Sequence, residues 1–281
     1  MKMKLYRIIL ACVAAVFLAA SCSSSLEELH ETPAIQGAVG TLRGNIDRPA
    51  VLGRRCPVAI ICHGLTGNRS EAHLMALADS LYANGIAVVR FDFNGHGESD
   101  GEFVHMTLDN EVQDLVSIYD YVASLPWADT QKISLAGHSQ GGLVAGVVAG
   151  DLGAEKVRSL LLLAPAACIH TAALNGEMFG QPFDEELPEY IEFWGGSHLG
   201  RDYLLSARSM DVFGRTSAYT GPALVLQGTN DGAELIADAE KYPTFMKDCQ
   251  YVPLYGLSHC FPEGPEFAAG IGSDFIKSHM K

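Results

Sequence analysis

Short runs of apolar residues, many of them β-branched, alternate with stretches of helical periodicity along most of the chain. This alternation constrains the fold most, because helices that separate continuous apolar strands must cover both faces of a mostly parallel sheet. The predicted strands are 57–62, 86–91, 132–136, 157–163, 223–227 and 251–254. The predicted helices are 70–83 with Ser70 as N-cap, 108–125, 141–149, 234–242 and one at the C-terminus. Residues 41–46 are expected to add one or two antiparallel edge strands, and the fold class is therefore α/β.

The interval between Pro165 and Thr220 interrupts this rhythm, since it contains no clear strand. It contains instead a cluster of aromatic residues, namely Phe179, Phe183, Tyr190, Phe193, Trp194 and Tyr203. A connection of this length is usually functional. We therefore expect an inserted lid over about residues 166–220, above the carboxyl edge of the sheet, where ligands bind in such folds.

The first 21 residues have the layout of a secretory signal, with three basic residues before an apolar run over 8–20 that is too short to span a bilayer comfortably. The alternative, a buried N-terminal helix, leaves the basic flank unexplained. Residues 19–22 (Ala-Ala-Ser-Cys) then resemble the lipobox of bacterial lipoproteins. This resemblance implies that Cys22 is acylated and anchors an exported protein to a membrane, on the periplasmic or cell-surface side. Residues 22–34 are expected to form a flexible tether, and residues 35–281 the folded domain.

Acidic residues outnumber basic ones by 33 to 19, which gives the chain a formal net charge of −14. This balance argues against a nucleic-acid partner, because phosphate backbones are bound by clustered Lys and Arg. Beyond the signal and Cys22, five cysteines remain, namely Cys56, Cys62, Cys168, Cys249 and Cys260. No pair has CxxC spacing, so we expect neither a zinc site nor a thioredoxin-like motif, and the sequence leaves any disulfide pairing open.

The pattern G-x-S-x-G occurs twice, at 97–101 and 137–141, so the context must decide which serine is a nucleophile. A nucleophilic serine in this pattern needs a sharp turn from a strand into a helix, which lifts its hydroxyl above the sheet. Ser139 lies between the predicted strand 132–136 and the predicted helix 141–149, whereas no helix directly follows Ser99. We therefore predict that Ser139 is the nucleophile and that Ser99 is a loop residue.

A serine nucleophile also needs a histidine base and a carboxylate that fixes the tautomer of that histidine, in the chain order serine, acid, histidine. The histidines that follow the serine are His170, His198, His259 and His279. Of these, His259 lies in a loop just after a predicted strand, while the others fall in the expected lid or near the C-terminus. Asp231 follows the strand 223–227 in the same way. The predicted catalytic residues are thus Ser139, Asp231 and His259.

Two backbone amides must hold the oxyanion that forms when a serine attacks a carbonyl carbon. One belongs to the residue after the nucleophile, Gln140, and the other to a loop that follows an earlier strand. The segment 63–67 closes the first apolar strand and can supply the Leu65 amide. His63 is expected to brace this turn by hydrogen bonding.

Several motifs together resemble the α/β-hydrolase superfamily over about residues 35–281, and within it the cinnamoyl (feruloyl) esterases. They are His63-Gly64-Leu65-Thr66-Gly67-Asn68, the segment 91–101, Gly137-His138-Ser139-Gln140-Gly141-Gly142, Leu163-Ala164-Pro165-Ala166-Ala167, Gly228-Thr229-Asn230-Asp231 and Ser258-His259-Cys260-Phe261. The resemblance implies an α/β-hydrolase fold with a lid, hydrolysis of hydroxycinnamate esters such as feruloyl groups on plant-wall polysaccharide, and no metal or cofactor. Aromatic lid residues, Phe193 and Trp194 among them, are expected to contact the substrate.

The combined interpretation is an exported, lipid-anchored serine esterase that acts on a small-molecule or polysaccharide ester. Two alternatives within enzymes stay open, an acetyl or short-chain acyl esterase and a hydrolase like the monoacylglycerol lipases. An alternative from another class is a glycan-binding lipoprotein without catalytic activity. The complete set of candidate catalytic residues argues against this last alternative.

Overall fold

The computed structural model describes residues 28–50 and 54–281 of the chain. The predicted signal peptide, Cys22 and residues 22–27 of the predicted tether lie outside the described residues. Within the described ranges, no helix is both long enough and apolar enough to cross a membrane.

A mixed β-sheet forms the centre of the structure. The strands are β1 Glu28–Glu31, β2 Ala34–Gln36, β3 Thr41–Pro49, β4 Cys56–Cys62, β5 Ala87–Phe91, β6 Ala128–His138, β7 Leu160–Leu163, β8 Glu177–Met178, β9 Gln181–Pro182, β10 Tyr190–Phe193, β11 Ser197–Gly200, β12 Ala223–Gly228 and β13 Cys249–Leu254. The main sheet has the order β1-β3-β5-β4-β6-β7-β12-β13, with β2 paired to β3. From β5 to β13 all neighbours are parallel, whereas β3 pairs antiparallel with both β1 and β5.

Helices cover both faces of this sheet, as the alternation of strands and helices predicts. They are α1 Ala72–Ala83, α2 Leu108–Ser124, α3 Gln140–Leu152, α4 Cys168–Asn175, α5 Arg201–Ser209, α6 Val212–Ser217, α7 Ala233–Ala239, α8 Tyr242–Phe245 and α9 Pro265–His279. The apolar faces of α2 and α3 belong to the larger buried cluster, and those of α1 and α9 to the cluster on the opposite face. The predicted α/β class, with its mostly parallel sheet, is confirmed.

Helix α1 begins two residues later than predicted. Its N-cap is Glu71 instead of Ser70, and the Glu71 side chain makes no capping hydrogen bond. The Ser70 amide instead donates to Asn68 Oδ1 at 2.9 Å, which places Ser70 in the turn that precedes the helix. Asparagine commonly closes such a turn through its own side chain.

The N-terminal edge of the sheet extends further than the sequence indicates. Residues 28–31, predicted as part of a flexible tether, pair with β3, which therefore is not the edge strand itself. His30 Nδ1 lies 2.6 Å from Asp47 Oδ1, and Arg48 Nε donates to Glu31 Oε1 at 2.9 Å. This edge strand has one apolar residue, Leu29, and therefore no apolar alternation. The prediction of a flexible tether was wrong for residues 28–31.

The segment between β7 and β12, residues 164–222, is called the insertion below. It contains α4, α5, α6 and two short hairpins, β8–β9 and β10–β11, although the sequence shows no clear strand there. These strands are two to four residues long, too short for a periodicity to be visible. Helix α6 packs directly on α3, since a Cβ at Gly150 would lie 1.8 Å from the Arg215 carbonyl oxygen.

Candidate active site

Ser139 occupies a tight turn between β6 and α3. Its backbone has φ 54° and ψ −122°, a region that residues with side chains rarely adopt. The turn fits only because its neighbours are glycines: a Cβ at Gly137 would lie 2.1 Å from the Gly141 carbonyl oxygen, and a Cβ at Gly141 would lie 2.2 Å from that of His63. The Ser139 amide donates to the Leu163 carbonyl oxygen at 2.9 Å. The strained serine is thereby fixed to the neighbouring strand.

The structure brings Ser139, His259 and Asp231 together from three loops at the carboxyl ends of strands. Ser139 Oγ lies 2.9 Å from His259 Nε2, and His259 Nδ1 lies 2.8 Å from Asp231 Oδ2. Gln227 Nε2 and the Gly232 amide also donate to the Asp231 carboxylate, each at 2.7 Å. These contacts hold a proton on His259 Nδ1 and leave the lone pair of Nε2 facing the Ser139 hydroxyl.

The environment of Asp231 keeps its carboxylate charged. Burial alone would raise the pKa of this carboxyl, but the hydrogen bond from His259, the charge of His259 and the bonds from Gly232 and Gln227 together lower it. The side chain of Asp231 is 3% exposed, whereas that of His259 is 32% exposed and faces the opening of the site. An ionised carboxylate in this position stabilises the imidazolium that forms when His259 accepts a proton.

The other histidines that follow Ser139 in the chain do not reach it. His170 Nδ1 donates to the Ala207 carbonyl oxygen at 2.9 Å, His279 Nδ1 donates to that of Phe275 at 2.9 Å, and His198 stacks on Tyr190. Ser99 also lies apart, in the loop that follows β5. The selection of His259 by chain order therefore agrees with the geometry.

The predicted oxyanion donors lie on either side of Ser139. Gln140 is the first residue of α3, and the loop of Leu65 packs so closely that a Cβ at Gly64 would lie 3.0 Å from Ser139 Cβ. Neither the Leu65 nor the Gln140 amide has a hydrogen-bond acceptor among the described residues. His63 braces this loop as expected: its Nδ1 donates to the Gly64 carbonyl oxygen at 2.8 Å, and its Nε2 accepts from the Phe93 amide at 3.0 Å.

A buried hydrogen-bond chain behind Gln140 was not predicted. Tyr203 of α5 donates through its hydroxyl to Gln140 Oε1 at 2.6 Å, and Gln140 Nε2 donates to Glu111 Oε2 at 2.9 Å. Burial raises the pKa of Glu111 to about 8, against a lowering by the bond from Gln140. One signal could have revealed Glu111, because this charged residue lies on the buried face of α2 with Leu108, Val112 and Leu115. Tyr203 belongs to the aromatic cluster noted in the sequence, but no sequence signal indicates its hydrogen bond to Gln140.

The predicted aromatic substrate contacts have different positions in the structure. Phe193 is only 6% exposed and stacks between Phe103 and Phe179. Trp194 is 67% exposed, with its ring centroid 5.0 Å from that of Phe179. Phe179 is the residue of this group that lines a cavity of about 450 Å³.

That cavity lies between the insertion and α7. Cys168, Ile169, Ala172, Met178 and Phe179 line one side of it, and Glu234, Asp238 and Lys241 line the other. Ser139 and His259 are outside its lining, but it begins two residues beyond Ala166, whose amide donates to the Ser139 carbonyl oxygen at 3.0 Å. The cysteines of the described ranges, including Cys168, are all free thiols.

Comparisons with known proteins agree with this geometry. A model of the serine aminopeptidase S33 family matches residues 54–186. The chain is similar to the solved structure of Est1E from Butyrivibrio proteoclasticus with bound ferulic acid, with 31% sequence identity and a TM-score of 0.84. The match covers 88% of this chain and 99% of the Est1E chain. A putative hydrolase from Agrobacterium vitis shares the fold, with 20% sequence identity and a TM-score of 0.72. This match covers 90% of this chain and 100% of the Agrobacterium chain.

Two curated relatives match over shorter segments. Esterase FrsA of Yersinia pestis is 29% identical over 145 residues, which are 49% of this chain and 32% of that protein. An uncharacterized 31.7 kDa protein of Escherichia coli, from the traX-finO intergenic region, is 32% identical over 120 residues, 42% of each chain. The chain thus spans less than half the length of these curated relatives. Together with the geometry and the near-complete match to Est1E, the comparisons show an esterase-like hydrolase. The chain belongs to the α/β-hydrolase superfamily, in its cinnamoyl (feruloyl) esterase branch.

Proposed function

We propose that the protein is a serine esterase that cleaves carboxylic esters through an acyl-enzyme intermediate. The observation that carries this proposal is the continuous hydrogen-bond chain from Ser139 through His259 to Asp231. In this chain Ser139 is the nucleophile, His259 the general base and Asp231 the group that orients the imidazole.

The first half-reaction forms the acyl-enzyme. His259 Nε2 accepts the hydroxyl proton as Ser139 Oγ bonds to the ester carbonyl carbon, and the π electrons of the carbonyl move onto its oxygen. The Leu65 and Gln140 amides donate to this oxyanion, and the N-terminus of α3 adds its partial positive charge. When the carbonyl forms again, the ester C–O bond breaks and His259 gives its proton to the leaving alcohol.

The second half-reaction releases the acid. His259 accepts a proton from water, whose oxygen bonds to the acyl carbon, and the same two amides hold the second oxyanion. The bond to Ser139 Oγ then breaks, and the proton on His259 returns to that oxygen. This sequence uses only protein side chains and water, and it regenerates the starting protonation state.

For the acyl group we propose a hydroxycinnamate, such as the feruloyl groups esterified to plant-wall polysaccharide. Est1E, with which this chain shares 31% identity, was solved with ferulic acid bound. The cavity at Phe179 supports the same choice, because an aromatic acid needs apolar walls and a few polar groups at its far end. Ile169, Ala172 and Met178 supply apolar walls, and Glu234, Asp238 and Lys241 supply polar groups.

A substrate panel tests this proposal. We expect a higher kcat/KM for methyl ferulate than for methyl acetate. Phe179→Ala should lower kcat/KM for methyl ferulate about tenfold more than for p-nitrophenyl acetate, because only the aromatic acyl group reaches this side chain. Trp194→Ala is the matched control, because Trp194 packs on Phe179 but does not line the cavity. Equal activity on ferulate and acetate esters would favour a short-chain esterase, and no turnover of any ester would favour a non-catalytic protein.

We propose further that the protein is exported and held on a membrane by an acylated Cys22. The support is the sequence alone, namely the basic and apolar leader followed by residues 19–22. In its native host, Cys22→Ala should leave the membrane fraction or remain unprocessed, and it should not incorporate labelled palmitate. Incorporation at the wild-type level would contradict the proposal.

A further inference from the structure

Three side chains meet close to His259, whose ring centroid lies 4.8 Å from that of one of them, His138. Glu71 is the N-cap of α1, His73 lies in the first turn of that helix, and His138 is the last residue of β6. One ligand atom of each lies within 4.8 Å of the other two. Because Glu71 and His73 are far from His138 in the sequence, no motif spacing indicates this cluster.

Each of these residues contributes a buried polar atom without a hydrogen-bond partner in the described part of the chain. The atoms are Glu71 Oε2, His73 Nε2 and His138 Nδ1. Buried polar groups are almost always paired, because water is lost without compensation when they are not. Three unpaired atoms that converge on one point are best explained by a ligand that all three share.

The orientation of His138 fixes which of its nitrogens can accept. His138 Nε2 donates a hydrogen bond to the His259 carbonyl oxygen at 3.0 Å. The lone pair is then on Nδ1, the unpaired atom. A metal-binding histidine typically donates its other N–H to a carbonyl oxygen in this way.

The Glu71 carboxylate occupies a space that is open only because residue 67 is a glycine. It makes no capping hydrogen bond to α1, and a Cβ at Gly67 would lie 2.4 Å from Glu71 Oε2. Any side chain at position 67 would therefore displace this oxygen. Glu71 as a whole residue is half-buried, in contrast to the two buried histidines, although its Oε2 atom is buried.

We propose that Glu71, His73 and His138 bind a divalent transition-metal ion, with Zn²⁺ as the fitting occupant. Two imidazoles and one carboxylate are ligands that Zn²⁺ accepts, and a water molecule can complete the tetrahedron. The rings of His138 and His259 are 4.8 Å apart. A dication on His138 opposes the positive charge that His259 acquires during the reaction, so zinc acts as a reversible inhibitor.

Direct binding is the primary test. Purified mature protein is freed of metal with a chelator and titrated with ZnCl₂ by calorimetry. We expect one equivalent to bind, and Glu71→Gln and His73→Leu each to weaken binding at least tenfold. His105→Leu is the matched control, since His105 also lies beside a glutamate, Glu102, but on the surface. No stoichiometric binding, or wild-type affinity in both well-folded cluster variants, would overturn the proposal.

Activity gives the second test, as the ratio of p-nitrophenyl acetate hydrolysis with and without zinc within each variant. We expect zinc to lower the rate of the wild type and of His105→Leu at least tenfold, with recovery on addition of EDTA. Glu71→Gln should lose this sensitivity even if His73→Leu fails to fold. Undiminished inhibition of Glu71→Gln would place zinc on the Asp231–His259 pair and overturn the proposal.

Discussion

The two G-x-S-x-G segments share a pattern, but the surrounding backbone uses their serines differently. Ser99 Oγ donates to the Asp92 carbonyl oxygen at 2.7 Å and accepts from the Arg43 amide at 2.9 Å. Its hydroxyl therefore ties the loop after β5 to β3. Ser139 Oγ instead has His259 Nε2 as its partner. The proposed nucleophile therefore differs from Ser99 in that no backbone group of the described residues occupies its hydroxyl, which is free to bond to a histidine.

The glycines of the two segments also have different roles. Gly97 has φ 52° and approaches Asp92 so closely that a Cβ would lie 2.1 Å from its carboxylate oxygen. That carboxylate is paired with Arg69, so the first segment is built around a buried ion pair. Gly137 and Gly141 instead allow close contact between a strand and a helix. In the first segment a glycine thus makes room for a buried ion pair, whereas in the second the glycines make room for a tight turn between a strand and a helix.

The largest expected difference between the segments is in turnover. Ser139→Ala should lower kcat by about 10⁶-fold, because the acyl-enzyme no longer forms, while the Cβ and the strained turn are retained. The measurement is the initial rate with p-nitrophenyl acetate, with Ser99→Ala as the matched control. Comparable losses in two folded variants would reverse the assignment of the nucleophile.

The charge state of Glu111 should affect stability more than rate. Burial raises its pKa from 4.5 to about 8, so between these values the folded state holds a proton that the unfolded state has released. Wild-type stability therefore falls as pH rises through this range, by at most about 1.4 kcal/mol per pH unit. Glu111→Gln should remove this slope. Urea midpoints at pH 5, 6.5 and 8 measure it, and parallel profiles for the two proteins would contradict a neutral Glu111.

Tyr203→Phe should lower kcat about tenfold with little change in KM. The variant leaves Gln140 Oε1 buried without a donor, and the freed side chain disturbs the residue whose amide is proposed to hold the oxyanion. Tyr219→Phe is the matched control, since its buried hydroxyl donates to the Val157 carbonyl oxygen, away from the site. If both variants lose the same activity, the effect comes from stability alone.

The smallest effect is expected for Ser99→Ala, and it should appear in stability. Loss of two hydrogen bonds to the backbone should cost about 1–2 kcal/mol of unfolding free energy, with kcat within about twofold of wild type. Chemical denaturation measures the first and steady-state kinetics the second. Unchanged stability would mean that the loop holds its conformation through Asp92 and Arg69 alone.

The site residues that could be predicted from the sequence are those that directly follow a strand. Asp231 and His259 could be selected because each follows a recognisable strand, and parallel strands bring their carboxyl ends to one edge. Hydrogen bonds between side chains that are distant in the sequence have no comparable sequence pattern. Tyr203 lies 63 residues from Gln140, and its hydrogen bond depends on how α5 packs. Likewise the mostly polar strand at 28–31 forms through pairing with β3, and no local sequence pattern indicates this pairing.

The bond from Tyr203 to Gln140 has a consequence for how this protein can change. The insertion holds the walls of the cavity, yet one of its helices also holds the residue beside the nucleophile. If the cavity selects the acyl group, as proposed, acyl selectivity and catalytic rate are therefore linked through this helix. A chimera that receives the insertion of a relative should gain the new preference at full speed only if it keeps a tyrosine at this point of α5. The same constraint would apply during evolution, because other residues of the insertion can change while Tyr203 must be kept for full activity.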